Sequence, residues 1–335
     1  MKKYLIFTIT AFLIVFLQSS EAAVIYTSTG GSLNFEVTPK NPSSFSTVTV
    51  KAISFEINLN NASISWFLNG KLEKEGLGQS SFSFTTGKSG QTSTVKIIAK
   101  IDDKKIEKIM EINPADVDIL WEAETYTPPT YKGKALASSK SNVRVIAIPQ
   151  LISEKGLLYN PSELIYEWTD GSRTLNQELG KSSIMVSMGS PYGKNSVSVK
   201  VLNAKGNISA EKTIAIEPQN PKIIFYEEKP LEGTKYENAL KGTAEFSEAE
   251  TSVRAEPYFF SFPETPYEKN LAYSWTMNGK GITPNEGTPK VITLRNETGK
   301  EILSSLTLSI KNVIKTFQTA YYSVTIKSVP EAMGF

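Results

Sequence analysis

Three tryptophans stand in one repeated phrase, 102 and 107 residues apart, and this repeat limits the architecture more than any other feature of the chain. Trp66, Trp168 and Trp275 each follow, at a distance of two, an apolar or aromatic side chain: Ile64, Tyr166 and Tyr273. Residues two apart share one face of an extended strand, so the two side chains point into one core. Asn69-Gly70, Asp170-Gly171 and Asn278-Gly279 come next. Asn-Gly and Asp-Gly tolerate the two positive φ angles of a type I′ turn, so the phrase predicts a strand, a tight turn and a returning strand. An alternating segment then begins at Val95, Val197 or Leu306, which lie 29, 29 and 31 residues after the Trp. In the second copy Val197, Val199 and Val201 fall on one face and Ser196, Ser198 and Lys200 on the other, one side core and one side wet.

Each copy also has a strand-like segment before the Trp (Val48-Thr49-Val50, Val143-Arg144-Val145, Ser252-Val253-Arg254) and a closing one after the alternating segment. Opening segments precede these at residues 33–37, 117–121 and 223–226. Short strands separated by Gly, Pro, Asn and Ser, several to every hundred residues, predict β-sandwiches. The Pro-containing stretches at residues 113–116 and 217–221 mark short, semi-rigid linkers. The expected units are 24–114, 115–218 and 219–330, arranged as an elongated rod, with no helical period after the first 22 residues.

Those 22 residues read as a secretory signal peptide: Lys2-Lys3, an apolar run over residues 4–17, then Ser20 and Ala22 at the small positions before a cut. The run of 14 residues reaches roughly 21 Å as a helix, short of the roughly 30 Å hydrocarbon core, so cleavage after Ala22 is expected. The expected location is extracellular, cell-surface or periplasmic; a retained leader would instead tether the protein to the membrane by its N-terminus. No other segment has the length of a membrane span, and no C-terminal anchor is expected. The chain has no Cys, which removes disulfides, a lipid-modified N-terminal Cys and thiolate metal sites.

Composition narrows the chemistry further. The sequence holds 36 Lys and Arg against 34 Asp and Glu; without Lys2, Lys3 and Glu21 the balance is 34 to 33, a formal charge of +1. Nothing there suggests the basic stripe of a nucleic-acid binder. The chain also has no His, so the usual neutral-pH general base, the commonest metal ligand and any Ser-His-Asp or Cys-His unit are absent.

The phrase Tyr166, Trp168, Asp170-Gly171 resembles the central motif of bacterial PKD domains. The stretch from Phe84 through Gly87 and Gly90 to Thr94-Val95-Lys96-Ile97 is similar to the glycine-containing turn and alternating strand that end such domains. The copies around Trp66 and Trp275 resemble immunoglobulin-like domains more generally. The resemblance implies an all-β chain of three tandem immunoglobulin-like (PKD-like) β-sandwiches, of the kind found in exported or cell-surface proteins as stalks, spacers and adhesive surfaces. It brings no catalytic residues and no cofactor.

Two aromatic stretches depart from the plain pattern. The first carries Trp121, Tyr126, Pro128, Pro129 and Tyr131; the second carries Tyr258, Phe259, Phe260, Phe262 and Tyr267. Rigid aromatics on a Pro-stiffened loop make a contact surface at low entropic cost. Aromatics packed between sheets or between domains give the same sequence, and both readings stand at this stage. Trp66, Trp168 and Trp275 are assigned to the repeat core. Asp102, Asp103, Asp116, Asp118, Glu122 and Glu124 offer oxygen ligands without the spacing of a calcium loop, so no metal is assigned. Ser209 and Lys212 have the Ser-x-x-Lys spacing of acyl-transfer enzymes, which needs a helix; here they enter a strand. The sequons at Asn61, Asn207 and Asn296 read as coincidental.

These features predict a noncatalytic interaction or adhesion protein whose partner is a protein or glycan at the cell surface, with no nucleic acid and with membrane contact only through an uncleaved leader. The alternatives are a spacer or accessory of an envelope, pilus or surface-layer assembly, and, last, a carboxylate-based secreted hydrolase. Oligomeric state is not readable.

Overall fold

The computed structural model describes residues 33–329 apart from 172, 191, 192, 194, 262–266, 286 and 299. The expected leader, Phe262 and the side chain of Tyr267 lie outside what is described. The protein is all-β, with three tandem immunoglobulin-like sandwiches and, among the described residues, only short 3-10 turns as helix. No helix among them is long and apolar enough to cross a membrane. The chain divides into two compact units, one ending at Ile112, the other running on from Asn113 and taking in Lys88–Gln91.

The first unit contains β1 (Leu33–Thr38), β2 (Thr47–Ser54), β3 (Ser63–Leu68), β4 (Lys71–Leu77), β5 (Ser81–Thr85), β6 (Ser93–Ile101) and β7 (Lys104–Ile112). They form two antiparallel sheets ordered β1-β2-β5 and β4-β3-β6-β7. Alternation turns Val48, Val50 and Ala52 of β2 and Val95, Ile97 and Ala99 of β6 into the space between the sheets. Trp66 fills its centre, fully buried, with Phe82 stacked at 5.8 Å and Phe35 tilted at 6.2 Å. At the β3–β4 turn Asn69 has φ 50° and Gly70 φ 84°, the positive pair that the sequence predicts there. The Asn69 amide oxygen accepts from the Thr94 N–H at 2.9 Å, which pins the turn to β6.

The second unit holds the other two sandwiches. The former comprises β8 (Asp116–Ala123), β9 (Asn142–Gln150), β10 (Ile165–Asp170), β11 (Arg173–Leu179), β12 (Ser183–Ser187), β13 (Asn195–Leu202) and β14 (Ser209–Ile216). Its sheets, β12-β9-β8 and β11-β10-β13-β14, repeat the strand order of the first unit around a core centred on Trp168 and Tyr166. The latter comprises β15 (Lys222–Lys229), β16 (Gly233–Leu240), β17 (Thr243–Phe246), β18 (Glu250–Tyr258), β19 (Leu271–Met277), β20 (Lys280–Ile282), β21 (Val291–Arg295), β22 (Ile302–Asn312) and β23 (Thr319–Ser328). Its sheets are β16-β15-β18-β21 and β17-β23-β22-β19-β20, with β17 parallel to β23. Sequence patterning does not single out β16 or β17, and both add an edge that has no counterpart among the described residues of the other two sandwiches.

One hydrogen bond is repeated in all three cores. The indole N–H of Trp66 donates to the carbonyl of Gln79 at 2.8 Å, that of Trp168 to Lys181 at 2.9 Å, and that of Trp275 to Pro289 at 3.0 Å. Each acceptor sits two residues before the next strand of the opposite sheet. A large ring is thus buried with its one polar atom satisfied, and it ties the two sheets together.

Candidate functional site

The two aromatic stretches meet inside the second unit. β15 and β18 pair antiparallel, and their inward side chains, among them Phe225, Val253 and Ala255, belong to the core around Trp275. Their opposite face carries Ile224, Tyr226, Tyr258 and Phe259, and it is covered by Tyr131 and Leu136 from the connection between β8 and β9. Tyr131 meets Tyr258 edge-on at 5.6 Å and Phe259 at 5.9 Å, while the hydroxyls of Tyr226 and Tyr258 lie 2.8 Å apart. The connection also adds strand-like pairing. Thr125 bridges Ser261, the Tyr126 N–H donates to the Phe260 carbonyl at 2.7 Å, and the Phe259 N–H donates to the Tyr126 carbonyl at 2.7 Å.

For three of these residues the structure decides between the two readings in favour of packing. Tyr258, Phe259 and Phe260 are 7%, 5% and 1% exposed, so they are not a free contact surface. Phe259 has φ 65°, which breaks the alternation of β18 and lets neighbours go to different places: Phe260 into the Trp275 core, Tyr258 and Phe259 into the junction. Pro128 is buried, Tyr126 and Tyr131 are half-buried, and Pro129 is exposed. Trp121 is half-buried under the Lys134 ammonium, 3.1 Å from the ring centroid. Burial pushes the Lys134 amine down from its ordinary value, against the pull of Glu122.

At the centre of the junction is a carboxylate that sequence reasoning passed over. Glu256 is 1% exposed; Tyr126 donates to its Oε2 at 2.7 Å and Tyr236 to its Oε1 at 3.0 Å. Lys290 and Arg254 each stand 3.9 Å away, and the Lys290 ammonium lies 4.7 Å from the Tyr126 ring centroid. Arg254 in turn grips Glu228 with two bonds of 2.6 and 2.9 Å, which raises its pKa. Burial first, and the Glu256 charge second, push the Tyr236 hydroxyl up to about 12. Burial and the bond with Tyr226 push Tyr258 up as well.

A second link runs through Gln318, fully buried just after β22 turns back. Its amide nitrogen donates to the Ser139 carbonyl at 2.6 Å and to the Ser261 hydroxyl, while its oxygen accepts from the Ser261 N–H at 2.9 Å and from Asn312 at 3.0 Å. Ser138 forms a parallel bridge with Gln219, whose N–H donates to the Ala137 carbonyl at 2.7 Å. Apart from the Ser138 hydroxyl, which has no partner among the described residues, the polar side chains named here are engaged with one another, the arrangement of a structural joint.

The remaining candidates lie apart. Trp66, Trp168 and Trp275 are 0%, 0% and 2% exposed. Asp118 pairs with Lys212 at 2.6 Å, and among the described residues no three acidic side chains converge as a metal site. Asn296 donates its amide to the Lys300 carbonyl and the Ser328 hydroxyl.

No protein-family model matches the sequence, and no curated protein matches it. Among solved structures the chain is similar to the three N-terminal domains of the bacteriophage RB49 Highly Immunogenic Outer Capsid protein, at 12% identity over 90% of this chain and 99% of that one, with a TM-score of 0.27. It is also similar to the central fibronectin-III array of RIM-binding protein, at 12% identity over 92% and 100% with a TM-score of 0.31, and to immunoglobulin domains 1–4 of Sidekick-1, at 9% over 89% and 74% with a TM-score of 0.21. At such scores the fold assignment rests on the strand order of this chain itself.

Proposed function

We propose that this is a noncatalytic interaction or adhesion protein, secreted or held at the cell surface, which carries its contact positions on tandem immunoglobulin-like sandwiches. The observation that carries the reading is the joint between the second and third sandwiches. Side chains that catalysis would need free, above all Glu256, Tyr126 and Tyr236, are tied into one another there, so the fold invests them in holding two domains as one body. The leader over residues 1–22 supports export, and the near-neutral charge with no His supports a protein or glycan partner over nucleic acid. The same joint favours a second reading, a spacer or accessory of an envelope, pilus or surface-layer assembly, because a buried joint transmits orientation.

Two measurements test this. Protein recovered from the exported fraction is expected to begin at Ala23. Mature protein immobilised on beads is expected to retain a surface protein or glycan, whereas stoichiometric recovery with a filament or lattice would favour the assembly reading. Export failure together with no retained partner would sink both, and turnover of a glycoside abolished by one carboxylate substitution would replace them with a hydrolase.

A further inference from the structure

Each sandwich closes with a hairpin whose tip holds a residue in the left-handed region: Asp102 at φ 49° between β6 and β7, Gly206 at φ 71° between β13 and β14, and Phe317 at φ 68° between β22 and β23. Asp and Gly reach that region at little cost, whereas a bulky aromatic there is strained. The turn by itself does not account for Phe317, and such strain is kept where a side chain has another use. Beyond the last paired residues, Lys311 and Thr319, the third tip carries Val313, Ile314 and Phe317, which are 61%, 58% and 58% exposed. In the same place the first tip has Asp102-Asp103 and the second Ala204-Lys205-Gly206-Asn207.

This apolar crest is held in shape from its base. Buried Asn312 accepts from the Ile314 and Lys315 N–H groups at 3.0 and 2.9 Å, the Val313 N–H donates to the Asn270 carbonyl at 2.9 Å, and Gln318 anchors the returning strand. Ordering the crest in advance removes an entropic cost from any contact it makes. The charge around it has one sign. From Ile302 to Ser328 the hairpin has Lys311, Lys315 and Lys327 and no Asp or Glu. Lys327 pairs with Glu245, while Lys311 and Lys315, on either side of Val313 and Ile314, pair with no acid among the described residues. The neighbouring 3-10 turn adds Glu268 and Lys269, which leave the balance unchanged. An apolar crest with unpaired lysines at its base complements a surface that is apolar within and anionic at its edge. A stable protein interface takes about 800 Å² from each partner. That is more than a convex tip of residues 313–317 presents, whereas lipid closes around a protruding tip.

We propose that the β22–β23 tip inserts into an anionic lipid surface, with Val313, Ile314 and Phe317 among the acyl chains and Lys311 and Lys315 at the headgroups. This contact goes beyond a protein or glycan partner and does not pass through the leader. The test sediments the full mature chain, without its leader, with vesicles of phosphatidylcholine alone and of phosphatidylcholine and phosphatidylglycerol in equal parts. Binding is expected to be about 20-fold tighter to the mixed vesicles, the worth of two lysines near an anionic surface. Lys311→Ser with Lys315→Ser is expected to remove that difference. Ile314→Ser with Phe317→Asn, the latter at ease at positive φ, is expected to weaken binding to the mixed vesicles about 100-fold. In a separate variant, Phe317→Trp, the added indole emission is expected to move to the blue on the mixed vesicles. No binding of the unaltered chain to the mixed vesicles overturns the lipid surface in favour of a protein partner. Binding that survives Ile314→Ser with Phe317→Asn overturns the tip as the inserting element. Equal binding of the unaltered chain to the two kinds of vesicle overturns the role of the lysines and with it the anionic surface.

Discussion

Glu256 stands on the face of β18 that strict alternation assigns to water, with Ser252 and Arg254, yet it is 1% exposed. Its cover comes from Tyr126, 130 residues earlier in the chain, and no local pattern announces that. Gln318 was hidden for the same reason, since its partner Ser139 lies 179 residues away. The tryptophans, by contrast, were legible because burial there follows from period and turn chemistry alone. Removing one charge of a buried pair leaves the other uncompensated, so Glu256→Gln is expected to lower the unfolding free energy by about 3 kcal/mol in denaturant titration, with Lys290 left facing a neutral amide. Thr251→Val should act in the opposite direction and stabilise by about 1 kcal/mol, because it removes an unpaired buried hydroxyl at constant shape. Tyr236 gives a pH dependence with a defined sign. Its folded pKa of about 12 lies above the ordinary 10.0, so its contribution is complete below pH 10 and is lost as pH rises through 12. Stability measured between pH 10 and 12 should fall more steeply in the unaltered protein than in Tyr236→Phe.

At the scale of elements, the first two sandwiches share a crossing device that the third has given up. Gly78 and Gly180, at φ 70° and 71°, each end the strand that follows the tight turn, and each N–H donates back, to Ala62 at 3.0 Å and to Leu164 at 2.8 Å. A Cβ at Gly78 would come within 3.0 Å of the Asn60 carbonyl oxygen, and one at Gly180 within 3.2 Å of that of Ser162. Backbone oxygen cannot swing aside as a side chain can, so left-handed strain and a clash add. Gly78→Ala and Gly180→Ala are each expected to cost about 2 kcal/mol, while Gly206→Ala, also at φ 71° but with open space around it, should cost about 1 kcal/mol. Thermal or denaturant unfolding of the three variants separates clash from strain. The missing device in the third sandwich could not be read from spacing. The distance from Trp to the next strand of the opposite sheet is 15 residues in the first two copies and 16 in the third, because a longer crossing offsets a shorter β20. Pattern length was preserved while the element inside it changed.

At the scale of the whole chain, the repeat gives three sandwiches with three cores, but the compact units number two. The difference lies in the joint, where Tyr131, Tyr226, Tyr258 and Phe259 form a fourth apolar cluster shared by the second and third sandwiches. Its aromatic residues were visible in the sequence as two unusual stretches; that they pack on each other depends on Phe259 leaving the alternation of its strand, which a period of two cannot foretell. A shared cluster with a buried carboxylate and the Gln318 link should make the two sandwiches open together, since exposing either core first would strand polar groups of the other without partners. Native-state amide exchange on the full chain reads this directly at Val199 of β13 and Leu308 of β22. Equal opening free energies are expected in the unaltered protein. Replacing Gln318 and Tyr131 together with Ala removes the polar link and the aromatic cover but touches neither sandwich core. The two free energies should then separate by about 1 kcal/mol or more. Unequal values before substitution, or a change confined to the third sandwich afterwards, would mean that the joint packs two independent domains side by side without coupling them.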